Sequence, residues 1–271
     1  MDATKLAKEL VELHERPRLV SQFSARYPGL TAETGYAAAR QLHAHRLAQG
    51  WQAAGRKIGF TNRTIWPRYG VYEPMWGTVY DRTLIFSKEN KATVSLTGLV
   101  QPRIEPEICF KLKSRPPASS AHGRDPQALL ACIEWIAHSV EIVQCHHPEW
   151  KVSIADGTTD NGLHGRLVLG TPVEVGRIAG LAAALPFLRV TLKKGAEVKD
   201  QGIGSNVLGS PLLALAFLIE VLSVQKESPP LDAGEIVTTG TLTDAHPVAP
   251  GERWSTDFHG FAVRGMEIEF T

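Results

Sequence analysis

From residue 55 onward the sequence is a series of short apolar runs, and this texture restricts the fold more than any other feature. The runs carry β-branched and aromatic residues and are separated by Gly, Pro and Asn, as in KIGF, GTVYDRTLIF, ATVSLTGLV and RIEPEICFKL. They do not alternate regularly with helices, as the strands of a doubly wound sheet do. We therefore predict an α+β fold with a mixed, strongly curved β-sheet.

The first fifty residues instead show apolar residues at helical spacing. The segment 31–51 begins with Thr31 and Thr34, a pattern typical of a capped helix start. We place a helical N-terminal section at residues 1–54, packed on a sheet region at residues 55–271. We expect one structural domain overall.

Two later segments predict single helices. Residues 125–140 predict a helix that begins at Asp125 and Pro126 and has an apolar face through Leu129, Ile133 and Ile136. The apolar segment 211–222 is too short to cross a bilayer, so it predicts a buried helix. The composition of residues 114–126 is that of a surface loop.

Composition limits the partners and the compartment. Lys+Arg is 29 against Asp+Glu 28, so no net charge draws the chain to nucleic acid or to a membrane surface. The N-terminal residues are charged, with no apolar run before a cleavage site, and we expect no signal peptide. The three cysteines lack CxxC spacing and lie in apolar runs, which is typical of reduced core thiols. We expect a cytoplasmic protein that acts on a small molecule.

Glu105 and Glu107 interrupt the apolar run QPRIEPEICF and are the most unusual residues of the predicted sheet. Residues two apart on a strand share a face, roughly 6.5 to 7 Å apart along it. Two bare carboxylates that close repel each other. Pro106 between them removes a ladder donor, which predicts an edge or a bulge. Glu141 is a third carboxylate within an apolar strand.

Three carboxylates without thiols or closely spaced histidines suit a hard cation such as Mg²⁺ or Mn²⁺. The alternative is that Glu105 and Glu107 pair with Arg103, Lys111 or another base on an exposed face. E-x-E alone is a weak motif, and the spacing leaves both alternatives open.

A longer set of segments resembles a known family. In chain order the set is GRKIGFT (55–61), GTVYDRTL (77–84), PRIEPEICF (102–110), VEIV (140–143), PEWKVSIADGTTDNG (148–162), LVLG (167–170), GSNVLGSPLLALAFL (204–218) and DAGEIVTTGTLTDAHPVAPGE (232–252). It resembles the 2-keto-4-pentenoate hydratase and 4-oxalocrotonate decarboxylase group of the fumarylacetoacetate hydrolase superfamily. The resemblance covers nearly the whole chain beyond residue 50.

The resemblance implies a β-roll that holds one divalent metal, Mg²⁺ or Mn²⁺, on three carboxylates. It also implies a catalytic pair and a substrate-binding set. The implied ligands are Glu105, Glu107 and Glu141; the catalytic residues are Lys57 and Asp81; the substrate-binding residues are Ile58, Asp156 and Thr241, with Thr239 as a neighbouring candidate.

Each implied role has a structural alternative. Lys57 next to a metal is expected to have a lowered pKa and to donate or shuttle a proton, or else it is a surface lysine. Asp81 orients Lys57 or a water, or else is a turn residue. Asp156 lies in a Gly/Thr-rich segment, where it either forms a turn or supports the metal ligands from behind.

Two segments depart from the family pattern. The loop 59–77 is rich in aromatic residues and arginine, and predicts a lid over the metal, with interface packing as the alternative. His146 and His147 stand where an arginine and an apolar residue are expected. Because they precede Pro148, we favour an exposed loop over a role as general acids. The candidates to bind a second substrate carboxylate are Arg63, Arg68 and Arg82.

The expected reaction is the addition of water to a small unsaturated 2-oxo or 2-hydroxy acid, similar to 2-hydroxypenta-2,4-dienoate, in aromatic-compound catabolism. A vinylogous 2-oxo acid decarboxylase of the 4-oxalocrotonate type is the close alternative, because both reactions develop negative charge on the C2 oxygen. A C–C hydrolase and a non-catalytic partner subunit are weaker alternatives. By resemblance we also expect a homo-oligomer, either a dimer or an assembly of dimers.

Overall fold

A computed structural model describes residues 3–117 and 124–271 of the chain, so part of the predicted surface loop 114–126 lies outside the described residues. The helices of the described part are α1 Ala3–Glu15, α2 Phe23–Arg26, α3 Ala32–Ala48, α4 Trp66–Tyr69, α5 Pro126–Cys132, α6 Ile154–Thr159, α7 Leu181–Ala184 and α8 Pro211–Val224.

The strands are β1 Ala53–Gly59, β2 Met75–Tyr80, β3 Leu84–Phe86, β4 Lys91–Val94, β5 Arg103–Leu112, β6 Ile133–Val143, β7 His164–Leu169, β8 Val173–Glu174, β9 Arg189–Lys194, β10 Glu197–Ile203, β11 Ile236–Thr238, β12 His246–Pro247, β13 Arg253–His259 and β14 Glu267–Phe270.

These strands form two sheets. The larger sheet has the order β2-β1-β11-β5-β6-β7-β3, with β12 paired to β5 and β8 paired to β6. The smaller sheet has the order β10-β9-β13-β14-β4. The pairs β1–β11, β3–β7 and β14–β4 are parallel and the others antiparallel, so the sheets are mixed. The larger sheet is curled, and the predicted α+β fold is confirmed.

The N-terminal section is helical, as predicted. The Thr34 hydroxyl oxygen accepts a hydrogen bond from the Thr31 amide at 2.9 Å, and the Thr31 hydroxyl oxygen accepts one from the Thr34 amide at 3.3 Å. This reciprocal pair satisfies two amides that the first turn of α3 leaves free. Buried leucines of α1 and α3 pack around Phe23, which gives this section its own apolar cluster. Its division from the rest at residue 54 stays a prediction.

The predicted helix 125–140 is half wrong. Asp125 caps α5 through the Gln127 amide, and Pro126 is its first residue, but the helix ends at Cys132. Ile133 begins β6, which pairs with β5 on one side and with β7 and β8 on the other. From Ile136 onward β6 is buried on both faces, and a largely apolar run of this kind cannot be told from a buried helix by its periodicity.

The helix predicted at 211–222 is confirmed as α8, which Ser210 caps and Pro211 begins. Most of its residues are buried in the main apolar cluster. Across the described ranges, no helix combines the length and apolar character that a membrane crossing requires. The three cysteines are buried free thiols, in agreement with the prediction.

Pro106 lies in a central strand, not at an edge, and no register shift occurs beside it. The Pro106 carbonyl accepts a hydrogen bond from the Leu242 amide at 2.9 Å. Because the amide and carbonyl of one strand residue point to the same side, the missing proline N–H also faces the segment 239–245. This segment runs between β11 and β12, at a point where this edge of β5 has no ladder partner. The prediction of an edge or bulge is therefore wrong, although the proline does mark an opening.

Candidate metal centre

Three carboxylates converge on the larger sheet. Glu105 and Glu107 share one face of β5, and Glu141 lies on β6 directly opposite Glu105. One carboxylate oxygen from each of the three residues lies within 4.8 Å of the corresponding oxygens of the other two. Glu107 and Glu141 are fully buried, and Glu105 is half-buried. The geometry excludes the alternative of two acids paired with bases on an exposed face.

Lys57 reaches the carboxylates from β1. Its Nζ lies 3.2 Å from Glu141 Oε2 and donates a hydrogen bond to the Gly162 carbonyl at 2.8 Å. The Lys57 side chain is only 2% exposed, so it is not a surface lysine. Lys57 and Glu141 therefore form a buried ion pair at the centre of the cluster.

With all three carboxylates ionised, the cluster would carry more negative than positive charge. Burial raises the pKa of Glu105 well above its ordinary value, and burial and Glu141 raise the pKa of Glu107. Burial lowers the pKa of Lys57, but the three carboxylates, Glu141 first, raise it above its ordinary value. The prediction of a lowered Lys57 pKa is thus wrong when only the protein's own groups act on the lysine. One lysine does not neutralise three buried carboxylates, and this imbalance fits a divalent cation.

The buried carboxylates each keep one oxygen free. Glu107 Oε2 accepts hydrogen bonds from the Thr238 hydroxyl and, at 3.0 Å, from the Gly240 amide. Glu141 Oε1 accepts one from His164 Nδ1 at 2.8 Å. Glu107 Oε1 and Glu141 Oε2 are buried without a hydrogen-bond partner in the described part of the chain, and Glu141 Oε2 has only its ion pair with Lys57. Free oxygens of this kind are the ligands that Mg²⁺ and Mn²⁺ prefer.

Thr238 and His164 were not predicted. Thr238 stands one residue before the predicted candidate Thr239, whose hydroxyl instead donates to the Ile108 carbonyl at 2.9 Å. The only sequence signal for His164 is an imidazole at the start of an apolar strand. Both residues orient carboxylates from behind, as outer-shell partners of metal ligands do.

A small cavity of about 30 Å³ adjoins Lys57 and Glu105. Its remaining walls are mostly apolar, formed by Phe60, Ile65, Tyr69, Val143, Trp150, Leu163 and Ala245, with the Gly162 backbone. The loop 59–77 thus covers the carboxylates through three of its side chains. Its role as a moving lid stays a prediction.

The remaining aromatic residues of that loop do not line the cavity. Trp76 stacks on Tyr36, with ring centroids 5.2 Å apart, and is buried in the main core. Trp66 donates to the Phe60 carbonyl at 2.8 Å, and Tyr72 is 64% exposed. Only part of the loop therefore belongs to the site.

None of the three arginines proposed for a second substrate carboxylate lines the small cavity. Arg68 pairs with Asp244 at 2.5 Å, and Arg63 lies over the Trp66 ring. Arg82 donates to the Gln49 carbonyl at 3.2 Å. Arg103, which was considered only as a partner of the glutamates, donates to the Tyr69 hydroxyl at 2.7 Å behind the cavity wall.

Asp81 is not at the site. Lys57 pairs with Gly77 of β2, and Asp81 lies four residues further along, about 13 Å away at 3.3 Å per residue. Asp81 is exposed, and its Oδ1 accepts a hydrogen bond from the Gln52 amide at 2.9 Å. The prediction that Asp81 orients Lys57 is therefore wrong, and its place is that of a turn residue.

The three predicted substrate-binding residues are spread around the site. Ile58 is fully buried in the main core, because neighbouring strand residues face opposite ways and Lys57 takes the site face. Its side chain therefore faces away from the metal site, and a substrate role through its main chain stays a prediction. Asp156 accepts hydrogen bonds from Ser24 and Ser153, so it anchors α6. The Thr241 hydroxyl donates to the Thr243 carbonyl at 3.0 Å, and its substrate role stays a prediction.

His146 and His147 are fully buried, so the prediction of an exposed loop is wrong. Their peptide segment bonds to the N-terminal section, where the Val20 amide donates to the His146 carbonyl at 2.8 Å. His146 Nδ1 lies 2.7 Å from Asp160 Oδ2, and the His147 ring packs edge-on against Phe23. Helices α1 and α2 cover these histidines and bury them. No local sequence pattern predicts this burial.

Known proteins similar in sequence to this chain include a hydratase and a decarboxylase. No model of a known protein family matches the chain. A 2-hydroxyhexa-2,4-dienoate hydratase from Comamonas testosteroni is 31% identical over 266 residues, which cover 97% of this chain and 96% of that protein. A 4-oxalocrotonate decarboxylase from Pseudomonas sp. (strain CF600) is 28% identical over 251 residues, which cover 92% of this chain and 89% of that protein.

Solved structures show the same fold. A 4-oxalocrotonate decarboxylase from Pseudomonas putida G7, complexed with magnesium and adipate, aligns with a TM-score of 0.87 at 24% identity, over 99% of this chain and 97% of that one. The yeast fumarylacetoacetate hydrolase family protein ynq8 aligns with a TM-score of 0.55 at 14% identity, over 79% of this chain and 91% of that one. The fold is thus that of fumarylacetoacetate hydrolase family proteins. Because the identity to the hydratase is 31% over nearly the full length of both chains, the chain belongs to the 2-keto-4-pentenoate hydratase and 4-oxalocrotonate decarboxylase group.

Proposed function

We propose that the chain is a divalent-metal-dependent lyase that adds water to a small unsaturated 2-oxo or 2-hydroxy acid in the breakdown of aromatic compounds. The observation that carries the proposal is the convergence of three carboxylates on Lys57 at the edge of a mostly apolar cavity. Glu105, Glu107 and Glu141 would hold Mg²⁺ or Mn²⁺. When bound, such a cation supplies Lewis-acid stabilisation of negative charge on the C2 oxygen of the substrate.

Lys57 is the proposed proton donor. In the metal-free protein the three carboxylates, Glu141 first, raise the pKa of Lys57, and the Gly162 carbonyl and Glu141 hold Nζ in place. Its Nζ lies among the carboxylates and lines the cavity, where the conjugated part of a substrate would lie. A positioned acid at this point contributes roughly 10²- to 10⁴-fold to a proton transfer.

The cavity lining favours the hydratase over the decarboxylase. Apart from Lys57, the residues around it are apolar, backbone or acidic, with the Tyr69 hydroxyl as a further polar group. The nearby Arg103 guanidinium is engaged with Tyr69 and stacks over Trp150 at 4.4 Å. Against this lining the second carboxylate of a diacid such as 4-oxalocrotonate would lack a cationic partner, whereas an apolar tail needs none.

A direct assay tests the proposal. Purified protein with Mg²⁺ or Mn²⁺ is expected to consume 2-hydroxypenta-2,4-dienoate and to yield a product heavier by one water. CO₂ release from 2-oxo-3-hexenedioate without water addition to the dienoate would replace the hydratase by the decarboxylase. The lack of either reaction, together with no bound divalent cation, would favour a non-catalytic subunit.

The assembly state belongs to the same proposal. We expect a homo-oligomer, a dimer or an assembly of dimers, as stated from the family resemblance. Light scattering on the purified protein measures this directly, and a monomer at micromolar concentration would contradict it.

A further inference from the structure

A second cavity lies on the opposite side of β1 from Lys57. Its volume is about 150 Å³, and its walls come from α3, β1, β2, Asn161 and the segment 227–229. Arg56 lines it one position before Lys57, and successive strand residues point to opposite faces. The cavity is therefore distinct from the metal centre, and no step of the proposed reaction uses it.

The Arg56 guanidinium is incompletely bonded. Arg56 is 6% exposed, and its Nη1 donates to Glu235 Oε2 at 2.6 Å. Its Nε is buried and finds no hydrogen-bond partner among the residues that the structure describes. An arginine cannot lose its proton to relieve this, and an unmade hydrogen bond at a buried donor costs about 1–3 kcal/mol. An acceptor supplied by a ligand would remove that cost.

The walls favour a flat ligand. The Arg56 Cζ lies 5.4 Å from the centroid of the Trp76 ring, and Trp76 stacks on Tyr36 at an interplanar angle of 19°. Arg56, Trp76 and Tyr36 all line the cavity, so its wall includes this stacked aromatic pair. An engineered protein cavity of about this volume binds benzene, so a single aromatic ring fits.

The unbonded donor of Arg56 favours an anion, although each arginine of the lining already pairs with one carboxylate. Arg40 and Arg56 line the cavity against one carboxylate, Glu227, which is exposed at the rim and pairs with Arg40. His43 lines it as well, and burial lowers the pKa of its imidazole, with the positive charges of Arg56 and Arg46 lowering it further. The carboxylate that pairs with Arg56 is not part of the lining. Two guanidiniums therefore face the cavity against a single rim carboxylate.

We propose that this cavity is a second ligand site, which binds a small planar monocarboxylate about the size of benzoate at the Nε edge of Arg56. The carboxylate accepts hydrogen bonds from the guanidinium, and the ring lies beside Trp76. The site does not depend on the metal or on the proposed reaction.

Titration calorimetry with benzoate on the full chain, in EDTA, tests the site without a metal to bind the carboxylate. We expect saturable binding. Ala39→Phe fills the cavity from α3 and is expected to weaken binding by about tenfold or more. A tenfold loss corresponds to about the free energy of one hydrogen bond to a charged group. Ala37→Phe is the matched control, because Ala37 is on the same helix and does not line the cavity. It should leave the affinity unchanged.

Arg56→Lys gives a second, independent measurement. Lysine keeps a positive charge beside Glu235 but lacks the Nε donor, so the fold is retained and benzoate should again bind about tenfold more weakly. The proposal is overturned if benzoate does not bind in EDTA, if it binds only with Mg²⁺ and is lost in Glu107→Gln, or if Ala39→Phe and Ala37→Phe have equal affinities.

Discussion

His14 Nε2 on the first helix lies 2.8 Å from Asp160 Oδ1, in a pair that is almost fully buried. Arg46 donates to the other ring nitrogen of His14 at 2.8 Å, and His146 Nδ1 lies 2.7 Å from the second oxygen of Asp160. Because a guanidinium can only donate, His14 Nδ1 carries the lone pair and Nε2 carries the proton. This tautomer leaves Nε2 no lone pair for a metal, although a histidine, a carboxylate and a second histidine meet here.

Removing His14 is expected to destabilise the fold. His14→Ala leaves the buried Asp160 with one imidazole partner, and breaking a buried pair in this way costs about 3 kcal/mol. Urea unfolding followed by circular dichroism measures the change. His45→Ala is the matched control, because His45 pairs with Glu15 at the exposed surface, where an ion pair contributes at most about 1 kcal/mol. Equal losses in the two variants would contradict the structural role of the His14–Asp160 pair.

The contribution of His14 to stability is expected to fall as the solution is acidified. Burial lowers the pKa of His14 from 6.5 to about 4 in the folded protein. Between these values the unfolded chain binds a proton that the folded chain does not, so stability present above pH 6.5 is lost toward pH 4, by up to about 1.4 kcal/mol per pH unit. The lowered pKa of Asp160 acts in the same direction at lower pH.

The variant His14→Gln isolates this contribution. Its free energy of unfolding should depend less steeply on pH across the window from 6.5 to about 4, because glutamine does not titrate. Urea unfolding of both proteins at several pH values in the window gives the two slopes. Parallel curves would show that His14 does not carry the effect.

Glu107→Gln is expected to separate metal affinity from stability. Affinity for Mn²⁺ should fall by more than the roughly 10- to 100-fold that outer-shell partners cost, because a charged ligand is lost. The metal-free variant should be at least as stable as the parent, since it buries less unbalanced charge. Calorimetric titration and urea unfolding measure the two quantities. Glu134→Gln, at an exposed position of β6, should change neither, and a Glu107→Gln variant with undiminished affinity would remove Glu107 from the ligand set.

Thr238→Val tests the support behind Glu107. Valine keeps the shape but removes the hydroxyl that donates to Glu107 Oε2, so Mn²⁺ affinity should fall about 10- to 100-fold. Thr239→Val is the control, because the Thr239 hydroxyl bonds to the Ile108 carbonyl rather than to a carboxylate of the cluster. The proposed orienting role fails if both variants bind the metal alike.

Lys57→Met is expected to stop turnover without weakening metal binding. Loss of the proton donor should lower kcat by about 10²-fold or more, while removal of a positive charge beside three carboxylates should leave Mn²⁺ affinity equal or higher. Lys111→Met, further along β5, should change neither kcat nor affinity. A parallel loss of both in Lys57→Met would indicate that Lys57 builds the site rather than acting in the reaction.

Local periodicity was enough to predict the shared face of Glu105 and Glu107, because residues two apart on any strand point the same way. Glu141 required more, since its place opposite Glu105 depends on the β5–β6 register, which a single sequence does not encode locally. A carboxylate within an apolar run was enough to make Glu141 a candidate, and the family resemblance supported its place among the ligands.

Two of the wrong predictions, on Asp81 and on the histidine pair, share one physical cause, which is long-range packing. Asp81 follows a strand that does pair with the strand of Lys57, but the register places it at the far end. His146 and His147 precede a proline, as exposed turns do, yet the first two helices fold over them. Burial of this kind depends on residues more than a hundred positions away in the chain.

Lys57 is held on one side by the carbonyl oxygen of Gly162, a main-chain atom that no side-chain replacement deletes. Alanine substitutions of the surrounding side chains would therefore leave the acceptor of this hydrogen bond in place. The φ of Gly162 is +66°, and a Cβ there would meet Lys57 Cδ at 3.1 Å, so changes at this position act through shape alone. A backbone ester substitution, which weakens the carbonyl as an acceptor while leaving every side chain intact, is the kind of chemical edit that would reveal how much of the lysine's placement this one oxygen provides.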